Sequence, residues 1–362
     1  MVQVLRALAA MAVVFQHARA RMTDFDGQVD FLPFDHGAQG VDLFFVISGF
    51  IMVWVTKDGA VAPLTFIKRR FFRVWPLYVL VTLVAALLSF LAPRYYSGST
   101  DLIYIIKSAF FIPAFRPSDG NLFPIMVPGW SLNLEVVFYV IFGLSFFLRS
   151  PYFVACAAVS ALYLISSQFD SVGPLMAAYG GRNAIILEFV VGVLVGIAYI
   201  KGARIPQITA YVLMAFGFYL LIARNQEGLI GAGIPAAFIV FAAINIDLDL
   251  GERTNRVVDL LGRVSFALYL IHNFVIQGST RVLLDYGIGA GELNGWVYFV
   301  LVALLSLGAS LTIYRYIEAP MTKFLTSPLR RAWQPSEKPV PLDESSEKAT
   351  RLKRRAVSRH SS

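Results

Sequence analysis

Apolar residues run along most of this chain in long, nearly unbroken stretches, unlike the alternation of strands or the one-sided stripe of soluble helices. Ten stretches are long enough to cross a bilayer with modest tilt or local thinning, at approximately residues 4–18, 41–55, 74–91, 130–148, 152–166, 185–200, 208–223, 229–246, 264–281 and 295–317. The stretch 102–112 has about eleven residues and contains Lys107, which suits an interfacial or re-entrant segment better than a span. The runs are too continuous for the strands of a membrane barrel. The pattern therefore predicts an all-α fold: a polytopic membrane helix bundle with about ten transmembrane helices, occupying residues 1–318. The first run lacks a small-residue cleavage site and leads straight into further apolar runs, so it reads as a retained first helix rather than a signal peptide. From Ala319 the chain turns to Ser, Pro, Lys, Arg and Glu, and residues 319–362 are expected to form a disordered basic cytoplasmic tail. Its basic end reads either as a topogenic, solubilising terminus or as a segment lying against anionic headgroups.

Composition narrows the function classes. Hydrophobic residues make up 57% of the 362 positions and charged residues only 15%, against roughly a quarter charged in ordinary soluble domains. A soluble globular enzyme is excluded. The net charge is +8, but 10 of the 31 Lys and Arg follow Glu318 and the rest lie mostly between apolar runs. With no broad basic face, nucleic acid is not an expected partner. With the N-terminus inside, the inner loops and tail carry 21 Lys and Arg and the outer loops 8, so both termini are expected in the cytoplasm. Cys156 is the single cysteine, which excludes a disulfide framework and a Cys-based zinc site. The four histidines lack ligand spacing, so no metal is expected.

A charge at the centre of a membrane helix costs about 2.5–3.5 kcal/mol on insertion scales, so the ionisable residues within the runs are the informative ones. They are Arg6, His17, Asp42, Glu135, Glu188, His272 and Arg315. Arg6 and His17 are eleven residues apart, which places them about 20° apart around a helix and about 16 Å apart along it. Ala10 and Val13 lie between them on that face, predicting a shallow groove with a cation at its inner end and an imidazole at its outer end. A thin ligand with an anionic head and a reactive tip fits such a groove; a membrane anchor, a packing stripe and an interfacial histidine explain the same residues.

In FIKRRFFRVWPLY, Arg70 and Arg73 share a helical face beside Pro76, either as a seat for phosphate or as a positive-inside anchor. In QGVDLFFVISGF, Asp42 lies at a depth similar to His17, where it either orients the imidazole or caps its own helix. In PGWSLNLEVVFYV, Asn133, Glu135 and Tyr139 stand near the outer end of a span, suited to binding hydroxyls or to pairing with an arginine. Glu188 also falls near an outer end, and His272 lies near mid-membrane three residues after Tyr269.

The ordered set VLRALAAMAVVFQH, GVDLFFVISGF, RRFFRVWPLY, WSLNLEVVFY, ILEFVVGVL, SFALYLIHN and YRYIEAP resembles the acyltransferase-3 family of polytopic membrane acyltransferases, most of all the branch that decorates bacterial exopolysaccharides. The resemblance covers Val4 to Pro320. It implies transfer of an acyl group, usually acetyl from acetyl-CoA, to a hydroxyl of a carbohydrate or other envelope molecule. By position, the first-helix Arg and His of the family match Arg6 and His17, its third-helix arginines match Arg70 and Arg73, and its Ser-Gly-Phe motif matches Ser48, Gly49 and Phe50. The extracytoplasmic hydrolase-like domain appended in some members has no counterpart here, and few residues precede the first helix.

The expectation is thus an O-acyltransferase of the bacterial inner membrane. Acyl-CoA would seat its phosphates near Arg6, Arg70, Arg73 and Ser48, and His17, oriented by Asp42, would act on the acceptor hydroxyl directly or through an acyl-His intermediate. Asn133, Glu135, Tyr139, Glu188 and His272 would hold a carbohydrate or lipid-linked glycan acceptor. A transporter or flippase of an envelope precursor is the alternative from another class, its buried charges forming a substrate or proton path. A structural subunit of an export complex is the third.

Overall fold

The computed structural model describes residues 1–22, 37–58, 62–93, 99–181, 184–224, 226–247, 251–288 and 295–331. Among them there is no strand, and each of the ten apolar runs is a helix. In chain order the helices are α1 (Val2–Met22), α2 (Gly40–Thr56), α3 (Pro63–Leu91), α4 (Leu102–Ala109), α5 (Gly129–Ser145), α6 (Pro151–Gln168), α7 (Pro174–Gly180), α8 (Leu187–Ile200), α9 (Gln207–Arg224), α10 (Ile234–Ala243), α11 (Gly251–Asp285), α12 (Gly295–Ile313) and α13 (Ala319–Arg331). A π-helical turn, Leu229–Gly233, leads into α10, and another, Tyr314–Glu318, joins α12 to α13.

Six of the helical stretches are long and apolar enough to cross a bilayer, and α5, α8 and the Leu229–Ala243 stretch are shorter apolar helices. Helix α1 carries Arg6, His17, Arg19 and Arg21 and is correspondingly less apolar. The outside of the bundle is inverted relative to a soluble protein: Phe90, Phe153, Ile208 and Phe324 are each more than 70% exposed. Large exposed apolar side chains spread over several helices require a nonpolar surrounding. Short α4 fits the interfacial reading of its run, with Asp101 capping its N-terminus by accepting from the Tyr104 backbone N–H at 2.6 Å.

Two packing seams position the interior. Helix α1 lies along α11, where Ala10 and Val14 are fully buried against Leu268. Helix α2 lies against α8 at near backbone contact: a Cβ at Gly49 would stand 2.2 Å from the Phe189 carbonyl oxygen, and one at Gly192 2.1 Å from the Val46 carbonyl oxygen. The two glycines face each other, as small residues do where membrane helices approach most closely. The largest core cluster gathers Phe45, Phe66, Tyr78, Phe138, Phe142 and Phe189 from α2, α3, α5 and α8.

Helical structure runs past the domain boundary set by composition. Residues 319–331 continue the last span as α13, which packs on α3 through a face including Met321, so the expected disordered tail does not begin at 319. The apolar residues Met321, Phe324, Leu325 and Leu329 recur at helical spacing, a signal diluted by the polar residues between them. Residues 332–362 of that tail lie outside the described residues.

Candidate functional site

Between the helices lies a cavity walled by Arg6 of α1, Ser48 of α2, Arg70 and Arg73 of α3, Glu135 and Tyr139 of α5, and Tyr269 of α11. Local periodicity explains the paired contributions, because residues three or four apart share a helix face. The Ser48 hydroxyl donates to Glu135 Oε1 at 3.1 Å, and the Tyr139 hydroxyl donates to the same oxygen. The Arg70 guanidinium lies over the Phe66 ring, 5.5 Å from its centroid. Glu318 of the second π turn is within electrostatic reach of Arg73 and Arg6. Three guanidiniums around a cavity with a single carboxylate on its wall leave it net positive, and guanidinium forks match phosphate geometry.

Neighbouring cavities adjoin it on both sides. One is walled by Arg69, Arg70 and Arg73 together with Thr322 and Thr326 of α13, so two arginines belong to both spaces. The other is walled by Gln16, His17, Asp42, Trp130, Glu227 and Tyr269 among others; Val41 and Tyr269 line both it and the arginine-walled cavity. The Tyr269 and Ser131 hydroxyls lie 2.7 Å apart, and each is within reach of the Pro128 carbonyl, at 3.1 and 3.0 Å. Arg6 and His17 therefore serve adjacent spaces that meet at Tyr269.

The route between them differs from the groove expected along α1. Ala10 is sealed by Leu268 of α11, and the two cavities share Val41 of α2 and Tyr269 of α11 as walls instead. A helical wheel locates a face but not the neighbour that covers it.

Asp42 is not the group that orients the His17 ring. His17 Nδ1 is 2.9 Å from the Val13 carbonyl of its own helix, and that bond rather than Asp42 sets the ring. A carbonyl partner requires Nδ1–H, which leaves Nε2 as the basic nitrogen. Asp42 lies in the first turn of α2, whose N-cap Gln39 makes no side-chain cap bond. Its Oδ1 accepts from the Gly228 N–H at 2.8 Å, 186 residues away in sequence. Gly228 has φ 89°, a left-handed backbone that favours glycine, and this turns its N–H toward Asp42.

The expected acceptor-binding set is divided as well. Glu135 and Tyr139 belong to the arginine-walled cavity. Asn133 lines a small separate pocket with Trp130 and Pro124. Glu188 is fully buried beside Asp42 and against Gly233, and His272 is fully buried with its ring 5.0 Å from that of His17. Neither is thus presented to a ligand as expected; His272 packs behind the His17 imidazole. Arg315 is exposed, with its guanidinium 5.9 Å from the Tyr316 ring. Gln16, Ser131, Glu227 and Glu318 escaped the sequence reading. Glu318 lies in the YRYIEAP motif, whereas the other three carry no local signal, because only packing brings them to the cavities.

The described residues form a helical bundle with a cationic cavity next to one lined by His17, and comparison with known families gives that bundle its class. Residues 2–315 match the acyltransferase domain, and the chain belongs to this acyltransferase-3 family. It is 36% identical over 276 residues to the exopolysaccharide production protein ExoZ of Rhizobium meliloti (strain 1021), covering 71% of this chain and 82% of that protein. It is 28% identical over 308 residues to the acyltransferase MdmB of Streptomyces mycarofaciens, covering 77% and 79% respectively. Putative O-acetyltransferases of Staphylococcus aureus, such as that of strain COL, are 24% identical over 92% of this chain, and the match spans 58% of their length. No solved structure matches. The chain is an acyltransferase.

Proposed function

We propose that this protein transfers an acyl group, acetyl in the simplest case, from acyl-CoA to a hydroxyl of a bacterial exopolysaccharide or other envelope glycan, as a multi-pass enzyme of the inner membrane with both termini in the cytoplasm. One observation carries the reading: the arginine-walled cavity and the His17 cavity share Val41 and Tyr269 as walls. Acyl-CoA has polyanionic phosphates at one end and a thioester at the end of a thin arm, and two adjoining cavities of unlike chemistry suit those two ends. The phosphates lie among Arg70, Arg73 and Arg6, entering past Arg69 and α13, and the arm extends toward Tyr269. Similarity to an exopolysaccharide production protein and to putative O-acetyltransferases supports the acceptor class.

In the reaction, His17 Nε2 accepts the acceptor's hydroxyl proton as its oxygen attacks the thioester carbonyl. The new ester C–O bond forms, the C–S bond breaks, and the proton passes from the imidazolium to the CoA sulfur, so the products are the acyl ester and free CoA. The test uses purified protein with acetyl-CoA and isolated exopolysaccharide, with acetylation read by mass spectrometry. Wild type is expected to acetylate the polymer and to be thermally protected by acetyl-CoA, while His17→Ala loses transfer and keeps the protection. Turnover by His17→Ala rejects the histidine assignment, and protection only by a lipid-linked sugar favours a transporter.

A further inference from the structure

The acceptor side of the site has a chemistry of its own. The cavity containing His17 is walled by Gln16, Asp42, Trp130 and Glu227, and no Lys or Arg occurs among its described wall residues. Asp42 is 0% exposed. Its Oδ1 is held by Gly228 N–H, and its carboxyl also pairs with the buried Glu188 carboxyl, whereas Gln16 Oε1, buried on the adjacent helix, has no hydrogen-bond partner. A buried acceptor without a donor costs the desolvation of a polar atom, so one that lines a cavity is open to a donor brought by a ligand or by water. The missing chemistry is O–H donation, and a hydroxyl suits either end of the Gln16 amide. Trp130 adds a flat apolar wall of the kind that takes the C–H face of a sugar ring, with a polar N–H at its edge.

Charge narrows the class further. Asp42 and Glu227 are electrostatic neighbours on this wall, and they would repel an anion brought to His17. The arginine-walled cavity beyond Tyr269 has the opposite sign. Building on the proposed transfer reaction, we infer that Gln16, Asp42, Trp130 and Glu227 form the acceptor subsite, and that it takes an uncharged sugar residue through its hydroxyl donors and excludes uronic acids. The carboxylates also keep the phosphates of the donor on their own side of Tyr269.

The experiment supplies the purified full chain with acetyl-CoA and a panel of methyl glycosides of neutral hexoses, each beside its methyl uronide, and quantifies the ester by mass spectrometry. Neutral glycosides are expected to react at least about tenfold faster than their uronides, and Glu227→Gln should narrow that ratio. Gln16→Ala and Asp42→Asn should each raise the acceptor KM about fivefold or more while thermal protection by acetyl-CoA stays at the wild-type level, which also shows that the variants are folded. Equal use of uronides, acetylation of no neutral glycoside by a protein that acetyl-CoA protects, or an unchanged acceptor KM in both variants overturns the subsite. Failure of acetyl-CoA to protect the wild type is a different result and overturns the donor reading itself.

Discussion

Replacing Gly49 by Ala tests whether the α2–α8 seam holds the site together. The added methyl carbon would stand 2.2 Å from the Phe189 carbonyl oxygen, 2.8 Å from Val193 N and 2.9 Å from Gly192 Cα, all backbone atoms that cannot swing aside. Restoring ordinary contact requires the helices to separate by about 1 Å, and overpacking of this kind costs about 1–3 kcal/mol. At about 2 °C per kcal/mol for a large domain, the detergent-solubilised protein should melt about 2–6 °C lower. Ser48 precedes Gly49 and donates to Glu135, so the same displacement should raise the KM for acetyl-CoA. Gly192→Ala should behave alike, since its Cβ would meet Val46 O at 2.1 Å. The double variant should lose less than the sum of the two, because both methyls open one gap. Gly308→Ala, with nothing within 4 Å of the added carbon, is the control. An unchanged melting temperature for Gly49→Ala, or fully additive losses in the double variant, would refute the close-approach argument.

Two further outcomes follow from the site. Arg70→Ala and Arg73→Ala should each weaken acetyl-CoA binding about tenfold or more, the scale of about 1.5–3 kcal/mol for a hydrogen bond to a charged group, and titration calorimetry at low and high salt checks it; equal affinity in both variants removes the arginines from donor binding. Gly228→Ala forces a side chain into φ 89° and ψ 179°, costing about 1–3 kcal/mol; because the Gly228 N–H holds Asp42, acceptor KM should rise while acetyl-CoA affinity is kept, and a fall in donor affinity instead would separate this turn from the acceptor side.

The chain's own pattern determined the architecture. Apolar runs long enough to span a bilayer have one well-satisfied conformation there, the helix, so ten of them specify a helical bundle whatever their partners. Local spacing also placed Arg70 with Arg73 and Glu135 with Tyr139, because one turn of helix puts such pairs on the same face. Membership of the family was legible in the order of the motifs.

Only tertiary structure decided which of those faces meet. Ser48 reaches Glu135 across 87 residues and Asp42 reaches Gly228 across 186, and neither separation has a periodicity to read. The same limit brought Glu135 and Tyr139 to the arginine-walled cavity, set Leu268 over Ala10, and made Val41 and Tyr269 the walls common to the two cavities. In a bilayer, burial of apolar surface cannot rank one helix pairing above another, since lipid is as apolar as the partner. The pairing rests on shape, down to the facing Gly49 and Gly192, and on a few polar contacts that exist only once the bundle has closed.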